Sequence, residues 1–579
     1  MTERLWDVPA SWEWTIIKEL GEVVSGGTPS TKQRDYWGGD VIWFAPSDLT
    51  GYEQKFIARG AKTLTEEGLE NSSARTMPAG SVMFSSRAPI GYVAINSVPA
   101  ATNQGFKSVV PYTDIFNEYL FHYFKASKQI AEQRATGTTF KELSGSAFGV
   151  LPVPIAPTAE QRRIVEKIEA LFDEIDKGIE SLEAAKVSLG LYRQSLLKAA
   201  FEGRLTADWR KQNPDKLEDP ETLLARIQSE REARYKSALE AWEQDLADWR
   251  AKGEEGKRPA RPKRLDDTKP VLSEDAADVS SIPNNWAWVR PSVIASPEPY
   301  AIGIGPFGSN LKVPDYTDQG VPLVFVRNIT KRDFTLGQKF VSKEKAIELQ
   351  AHSIKAGDVL VTKMGDPPGD CTVYPDNGPN AIITADCLKF RVWSEFANRH
   401  FISYMIQSTA VRRQLGLITR GVAQKKISVE RFKTLLLPLP SLPEQAEVVN
   451  ILDERLEAAD ALETEIDSGL LRADALSQSI LKKAFAGELV TQDPSDEPAS
   501  VLLERIRVEK AERARIAKRD RKSKTPRQPN IRRPTLTDLI AVLKTQKEGA
   551  SASKAAQEVG ISDGSCPDDV ATRDPQLKR

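Results

Sequence analysis

Cysteine is almost absent from this chain of 579 residues, which holds only Cys371, Cys387 and Cys566. Three thiols cannot build a disulfide framework, and no Cys-x-x-Cys pair suggests zinc, so a reducing, cytoplasmic setting is expected. Histidine is equally scarce. His122, His352 and His400 stand apart, with no metal-like spacing and no evident nucleophile beside them, so neither a metal site nor a catalytic triad is expected. No apolar run approaches the ~18 residues of a membrane span. The opening Met1-Thr-Glu-Arg-Leu-Trp-Asp7 carries charge where a signal peptide needs an apolar core, so a soluble, unexported protein is expected. Excess charge is missing too: 80 basic against 81 acidic residues leave a net charge of −1. Any surface suited to nucleic acid must therefore be local. No G-x-x-x-x-G-K-[ST] phosphate loop occurs, and Gly256-Lys257 lies in a charged linker without the required glycine.

Two short runs imitate ligand motifs but fail on their surroundings. Gly303-Ile-Gly305-Pro-Phe-Gly308 satisfies G-x-G-x-x-G, yet Pro306 and the residues after Gly308 do not open a helix, so a loop is expected instead of a nucleotide site. Asp366-Pro367-Pro368-Gly369 resembles the Asp-Pro-Pro-aromatic loop of amino-methyltransferases. Glycine stands where a ring would stack on a flipped base, and a turn is expected.

What the chain does have is an internal copy. Gln194-Ser-Leu-Leu-Lys-Ala-Ala-Phe-Glu-Gly-Arg-Leu205 returns as Gln478-Ser-Ile-Leu-Lys-Lys-Ala-Phe-Ala-Gly-Glu-Leu489, an offset of 284 residues, and Glu160-Gln161 returns as Glu444-Gln445 at the same offset. A spacing this long is domain duplication, not a stacked solenoid. Positions 164, 168, 171, 175, 178, 182, 185, 189, 192 and 196 alternate steps of four and three, forming an apolar heptad seam relaxed at Gly178 and Ala185. The second seam reads Val448, Leu452, Arg455, Ala459, Leu462, Ile466, Gly469, Ala473, Leu476 and Ile480, broken only by Arg455. Small side chains in each seam would allow close helix approach. Thr158 and Ser441 are candidate N-caps, and Gly203 and Gly487 candidate stops. From Glu160 to Phe201, 42 residues, such a rod spans roughly 63 Å at ~1.5 Å per residue. One apolar stripe that long needs a partner. Antiparallel pairing with the other copy is expected, with packing on its own globular half or on another subunit as the alternative.

The parts before the rods align loosely. Trp12-Glu-Trp14 matches Trp286-Ala-Trp288, Ala79-Gly80 matches Ala356-Gly357, and Thr136–Ser144 lies opposite Arg420–Ser428. Short strand-like runs such as Asp40–Phe44, Gly80–Phe84, Val321–Val326 and Asp358–Val361 are broken by turns, while Asn117–Arg134 and Glu395–Leu415 predict helices. Each half predicts a mixed α/β domain of one fold with a different surface, leading through Leu151-Pro-Val-Pro154 or Leu437-Pro-Leu-Pro440 into its rod.

Ser25-Gly-Gly-Thr-Pro-Ser30, Tyr36-Trp37-Gly-Gly-Asp40, Pro46-Ser-Asp-Leu49 and the recurring rod ends resemble the specificity (S) subunits of type I restriction-modification systems. The likeness covers roughly residues 1–210 and 281–490. It implies an α/β (α+β) fold with two globular target-recognition domains separated by two long antiparallel coiled-coil helices. The expected map is target-recognition domain 1 over 1–155, spacer helix 1 over 156–205, a helical arm and linker over 206–280, target-recognition domain 2 over 281–440, spacer helix 2 over 441–490 and a basic tail over 491–579. The resemblance also implies a non-catalytic, sequence-specific DNA-binding subunit that reads a bipartite, asymmetric double-stranded target. It would recruit methyltransferase (M) and restriction/translocase (R) subunits, on which S-adenosylmethionine, ATP and Mg²⁺ are expected. A rigid rod would convert residue count into half-site spacing. The rivals are a coiled-coil assembly scaffold that binds only protein, and an autonomous nuclease or methyltransferase.

Base reading draws on Arg, Lys, Asn and Gln, with further basic residues on phosphates. The first-half candidates are Lys32, Arg34, Arg87, Asn103, Gln104, Lys107, Thr138 and Lys141. In the second half they are Asn310, Lys312, Arg327, Asn328, Lys331, Arg332, Lys363, Arg412, Arg413, Arg420, Gln424, Lys425 and Lys426. The basic Arg420–Lys426 loop just ahead of the second rod is the strongest of these. Asp219 caps a predicted helix to about Ala251, and Leu223-Leu-Ala-Arg-Ile227 recurs as Leu502-Leu-Glu-Arg-Ile506. A basic run follows from Arg505 to Arg533, and Pro534–Ser562 could form two short helices.

Overall fold

The computed structural model describes residues 3–87, 89–137, 141–262, 264, 271, 279, 281–365, 368–419 and 426–524. The calls on Pro534–Ser562, on Asp366-Pro367 and on Cys566 lie outside them. The chain forms two compact units, residues 1–169 with 479–579, and residues 170–478. Among the described residues, no helix is long and apolar enough to cross a membrane.

The first unit contains β1 (Glu13–Ile16), β2 (Gly21–Ser25), β3 (Trp37–Phe44), β4 (Phe56–Ile57), β5 (Lys62–Leu64), β6 (Val82–Ser86), β7 (Ile90–Asn96), β8 (Ala101–Thr102), β9 (Phe106–Pro111) and β10 (Pro152–Ile155). They form a sheet in the order β2-β9-β6-β7-β4, a smaller one in the order β5-β3-β8, and the pair β1-β10. β6 is central and buried along its whole length, with Phe84 stacked on Phe148 and edge-on to Phe124. Pro152 and Pro154 fit because β10 belongs to a two-stranded pair, where a missing N–H can face away from the ladder.

The second unit repeats the plan with β11 (Ala287–Val289), β12 (Ile302–Ile304), β13 (Val321–Val324), β14 (Lys339–Val341), β15 (Ser353–Ile354), β16 (Val359–Thr362), β17 (Cys371–Val373), β18 (Ala381–Ile383), β19 (Cys387–Phe390) and β20 (Leu437–Leu439). Its sheets run β12-β19-β16-β17 and β14-β13-β18-β15, with β11-β20 as the pair. Trp14 lies opposite Pro154, and Trp288 opposite Pro438. Each helix expected to run unbroken is two. Asn117–Ala126 and Lys128–Arg134 meet at Ser127, and Arg399–Gln407 and Thr409–Ile418 meet at Ser408. Both serines spend their hydroxyls on local backbone, Ser127 on Phe124 O and Ser408 on Val411 N, which competes with helix continuation.

The rods are single helices, Thr158–Phe201 and Leu442–Ala486. Within the second unit they pair antiparallel. Lys186 bonds Asp467 at 2.6 Å and Arg193 bonds Glu463 at 2.6 Å, so numbers rise along one rod as they fall along the other. Leu189, Ala459 and Ile466 form the buried seam, with Leu182 and Leu470 beside them. The seam differs in detail from the heptad reading. Leu456, not Arg455, packs inward, and Leu462 and Leu476 are 52% and 51% exposed. Gly469 does give close approach, since a β-carbon there would lie 3.1 Å from the Leu182 side chain, whereas one on Gly178 would meet nothing within 4 Å.

The duplicated Glu-Gln pairs form the joint between rod and globular part. In the first unit Glu160 accepts the Trp12 indole N–H at 3.0 Å, and in the second Glu444 accepts that of Trp286 at 3.0 Å. Gln161 donates to Ala156 O and accepts from Phe116 N; Gln445 donates to Pro440 O and accepts from Asn398 N. Thr158 and Ser441 donate to the carbonyls of Asp114 and Lys216. Gly487 and Gly203, both at positive φ, let the rod ends turn against Pro9 and Pro283, where a β-carbon would collide at 2.4 and 2.3 Å.

Two arm helices complete the duplication. Pro220–Ala251, capped by Asp219, buries Leu223, Ile227 and Arg231 in the second unit, and Arg231 donates to the carbonyls of Val293 and Ala295. Ala499–Lys524 buries Leu502 and Ile506 in the first unit, and Lys510 donates to Lys18 O at 3.2 Å. The same spacing of two apolar residues and a cation docks each arm, so the basic tail begins as a packed helix.

Candidate nucleic-acid interface

In the first unit four loops converge where β6 ends and β9 begins. The turn Asn103–Gly105 is fixed by Asn103 N to Phe44 O at 2.8 Å, Gly105 N to Asn103 Oδ1 at 2.7 Å, and Ser86 N to Gly105 O at 2.7 Å. Its tip, Gln104, is exposed, and Thr28 donates its hydroxyl to the Gln104 side-chain oxygen. Gly26 must be glycine, because a β-carbon there would lie 1.8 Å from Asn103 O. Leu143 N bonds Ser86 O, bringing Arg87 opposite Glu142 with a side-chain separation of 3.6 Å. Thr136 and Glu142 close the base of a hairpin loop. Lys141 is exposed on this loop, whereas Thr138 lies outside the described residues.

The second unit builds the same edge with other side chains. Thr384 N bonds Val324 O at 2.9 Å, Lys363 N bonds Asp386 O at 2.8 Å, and Ile427 N bonds Lys363 O at 3.1 Å. Met364 therefore lies opposite Lys426, as Arg87 lies opposite Glu142. Gly305 corresponds to Gly26, since a β-carbon there would lie 2.1 Å from Thr384 O. Gly303 and Gly305 of the apparent nucleotide motif thus serve β12 and this close approach, while a β-carbon on Gly308 would meet nothing within 4 Å. Lys426 is exposed; Arg420, Gln424 and Lys425 lie outside the described residues.

The structure brings together Arg87, Asn103, Gln104 and Lys107 in the first unit, and Lys363 and Lys426 in the second, but their environments differ. Lys107 is only 6% exposed and donates to Gln104 O at 2.9 Å; burial pushes its ammonium pKa down, so it braces the turn from beneath. Asn328, 1% exposed, spends its amide on Asp333 O and Leu336 O and accepts from Phe325 N. Both are inside the fold: Lys107 stands on β9 between β2 and β6, and Asn328 is held under the loop whose Asp333 and Leu336 carbonyls it bonds. Lys363 is half-buried with its ammonium 3.4 Å from Ala385 O.

A second basic group surrounds Asp370. Arg412 bonds that carboxylate at 2.6 Å and Pro368 O at 3.0 Å, Thr330 lies 3.3 Å from it, and Arg332 donates to Gln407. Lys331 and Arg413 are exposed nearby in sequence. Arg327 lies over the Phe325 ring at 4.1 Å. Asn310 and Lys312 are exposed around the turn Val313–Asp315, and Lys32 and Arg34 around Arg34–Tyr36. Sequence reasoning missed Thr28 and Glu142. The 284-residue offset, which aligns Glu142 with Lys426, was the available signal.

Among the described residues no group of three or more His, Cys, Asp or Glu could hold a metal ion. His122 faces Glu169 at 3.5 Å and His352 faces Ile304 O at 2.6 Å. Cys371 and Cys387 are buried, which pushes both thiols up to about 12.

The family description "Type I restriction modification DNA specificity domain" matches residues 9–184 and 321–472. The type I restriction enzyme MjaIX specificity subunit of Methanocaldococcus jannaschii is 39% identical over 191 residues, 32% of this chain and 44% of that protein. This local match spans under half of that relative. The EcoBI specificity subunit of Escherichia coli is 25% identical over 425 residues, 72% of this chain and 76% of that protein. A solved chain described as "Structural basis underlying complex assembly and conformational transition of the type I R-M system" shares the fold at TM-score 0.56 and 17% identity, covering 83% of this chain and all of that one.

Proposed function

The chain belongs to the type I restriction-modification DNA specificity family, and on that premise we propose that it reads a bipartite, asymmetric double-stranded DNA target, one half-site per globular part. The observation that carries this reading is one edge built twice with different side chains, Arg87 over Glu142 in one unit and Met364 over Lys426 in the other. A common backbone presenting different donors and acceptors suits a split target with two unlike halves. In this reading Gln104, Arg87, Lys141 and Lys426 are base or phosphate contacts, Lys107 and Asn328 positioning residues, and the basic groups around Asp370 and the 310–312 turn phosphate contacts.

The rods would set the half-site spacing and receive partner subunits. Val187, Leu191, Leu462 and Leu471, 66%, 62%, 52% and 72% exposed, leave apolar surface on the paired rods that supports binding of methyltransferase subunits. Restriction/translocase subunits would join through the assembled complex. The chain itself would catalyse nothing and work in the cytoplasm, with S-adenosylmethionine, ATP and Mg²⁺ held by the partners. Footprinting of the complex reconstituted with methyltransferase subunits tests this: two protected half-sites with an unread gap are expected. Absence of sequence-specific protection would favour the protein-only scaffold, and cutting or methylation by the isolated chain would favour an autonomous enzyme.

A further inference from the structure

One sheet of each unit, β5-β3-β8 in the first and β14-β13-β18-β15 in the second, carries a lysine at the same register. In the first unit β5 pairs with β3 so that Lys62 lies opposite Trp43, and in the second β14 pairs with β13 so that Lys339 lies opposite Leu323. The next residues on those partner strands, Phe44 and Val324, supply the carbonyls that fix the Asn103 and Thr384 turns. Each lysine is thus two strands away from its own reading turn, about 10 Å at ~4.8 Å per strand. Both are exposed, and among the described residues neither is paired with a carboxylate.

A short turn adds charge in each unit: Arg34 in Arg34–Tyr36, which lines one cavity with Lys62, and Lys312 at the start of Val313–Asp315, a turn that leads to Thr317, whose N–H donates to the carbonyl of Phe340, the neighbour of Lys339. In the first unit Arg34, Trp37, Lys62 and Thr31 line a cavity of ≈ 450 Å³, with the Lys62 ammonium 5.5 Å over the Trp37 ring. The ring orients the ammonium without neutralising it. Its covered face is closed to a stacking base, so the cavity suits a phosphate better than a nucleobase.

We propose that Lys62 and Lys339 contact DNA backbone phosphates beside the two half-sites, assisted by Arg34 and Lys312, and supply affinity without sequence preference. This rests on the DNA-reading proposal above. A duplex presents one charge per ~1.7 Å of axis, so a cation ~10 Å from the bases being read meets the flanking backbone.

The test is the salt dependence of binding by the full chain with methyltransferase subunits, on duplex carrying the sequence methylated in cells and on scrambled duplex. Lys62→Ala with Lys339→Ala is expected to reduce the log–log salt slope by about 1.8, roughly 0.9 per lost contact. The fall in affinity between about 50 and 200 mM salt would then be roughly 12-fold smaller than in wild type. Both duplexes should weaken by the same factor, the methylated sequence should stay unchanged, and Lys62→Arg with Lys339→Arg should restore the slope. An unchanged slope, or an altered methylated sequence, would overturn this inference while wild-type discrimination leaves the DNA-reading proposal standing. A wild-type complex that binds both duplexes alike would overturn both.

Discussion

Replacing Glu444 by glutamine is expected to cost more than the same change at its duplicate, Glu160. The Glu444 carboxylate is fully covered and accepts from Thr206 at 2.7 Å, Arg210 at 2.5 Å, Asn285 at 3.1 Å and Trp286 at 3.0 Å. Glutamine keeps the shape but turns one acceptor into a donor. Whichever way the amide lies, it faces either Thr206 and Arg210 or Asn285 and Trp286. Two accepting contacts go, and Arg210 keeps no full negative charge beside it. A charge-assisted bond contributes roughly 1.5–3 kcal/mol and a neutral one roughly 0.5–1.5, and breaking a buried pair costs about 3–5 kcal/mol. A loss of about 3–5 kcal/mol follows for Glu444→Gln.

Among the described residues Glu160 accepts from Trp12 at 3.0 Å and Gln492 at 2.6 Å, both neutral donors. Burial raises its carboxyl pKa, and with no guanidinium among its donors glutamine forfeits one contact to the carboxylate, roughly 1.5–3 kcal/mol, against two contacts and an ion pair at Glu444. Urea unfolding of the full chain followed by tryptophan fluorescence measures both, since Trp286 and Trp12 report on the two joints. The two compact units are expected to unfold in separate transitions, each fitted by itself. At about 2–4 °C per kcal/mol the Glu444 variant should melt on the order of 10 °C lower. Equal losses at the two positions, or a larger one at Glu160, would refute the reasoning.

Acid should loosen the first rod's joint: the His122 imidazole and then the Lys55 ammonium hold the Glu169 carboxyl down to about 2 against burial. A depressed carboxylate contributes stability above its unfolded pKa of ~4.3, lost as pH falls toward about 2, and Glu169→Gln should flatten an acid-unfolding curve in that window. Burial also lowers the His122 pKa, so stability should already begin to fall below ~6.5, and His122→Gln should remove that earlier part. Cys371 and Cys387, with thiols raised to about 12, should resist alkylation at pH 8 until the chain unfolds, as read by peptide mass mapping. Seven residues inserted into both rods would lengthen each by ~10.5 Å, about three base pairs at ~3.4 Å. Methylation mapping should then show a longer gap with unchanged half-sites; an unchanged gap would count against the spacer role.

The rods were legible because identity at a constant offset survives any ignorance of contacts. The Glu160-Gln161 and Glu444-Gln445 pairs stood out as repeats before their partners were known, and the matching tryptophans were visible as Trp12 and Trp286. The seam was less so. A straight helix drifts against a strict heptad, which is why Leu456 replaces Arg455 and Leu462 turns outward. The interface was legible as charge and illegible as burial: Lys107 looks like a surface donor until β2 and β6 flank its strand, and Asn328 until the Asp333–Leu336 loop folds onto its amide. Lys62 and Lys339 are lone lysines in three-residue strands. Only strand register makes them equivalent, and register is not written in a single residue type.

The contrast between joint and edge has one physical cause. At the joint, changing one residue strands the others: without Glu444 the Arg210 guanidinium and the Trp286 indole lose their shared acceptor, so no single substitution is neutral. At the edge, the bonds from Asn103 N to Phe44 O and from Thr384 N to Val324 O join backbone atoms, and with Asn103 and Lys107 kept beneath the first turn they do not depend on which side chain sits at the tip. Gln104 and Lys426 face solvent, where replacement changes what the surface binds while costing about 0.5 kcal/mol or less of stability. A scaffold built this way can exchange its recognition chemistry residue by residue while its rods and joints stay as they are. That is the property a DNA reader with two unlike halves requires.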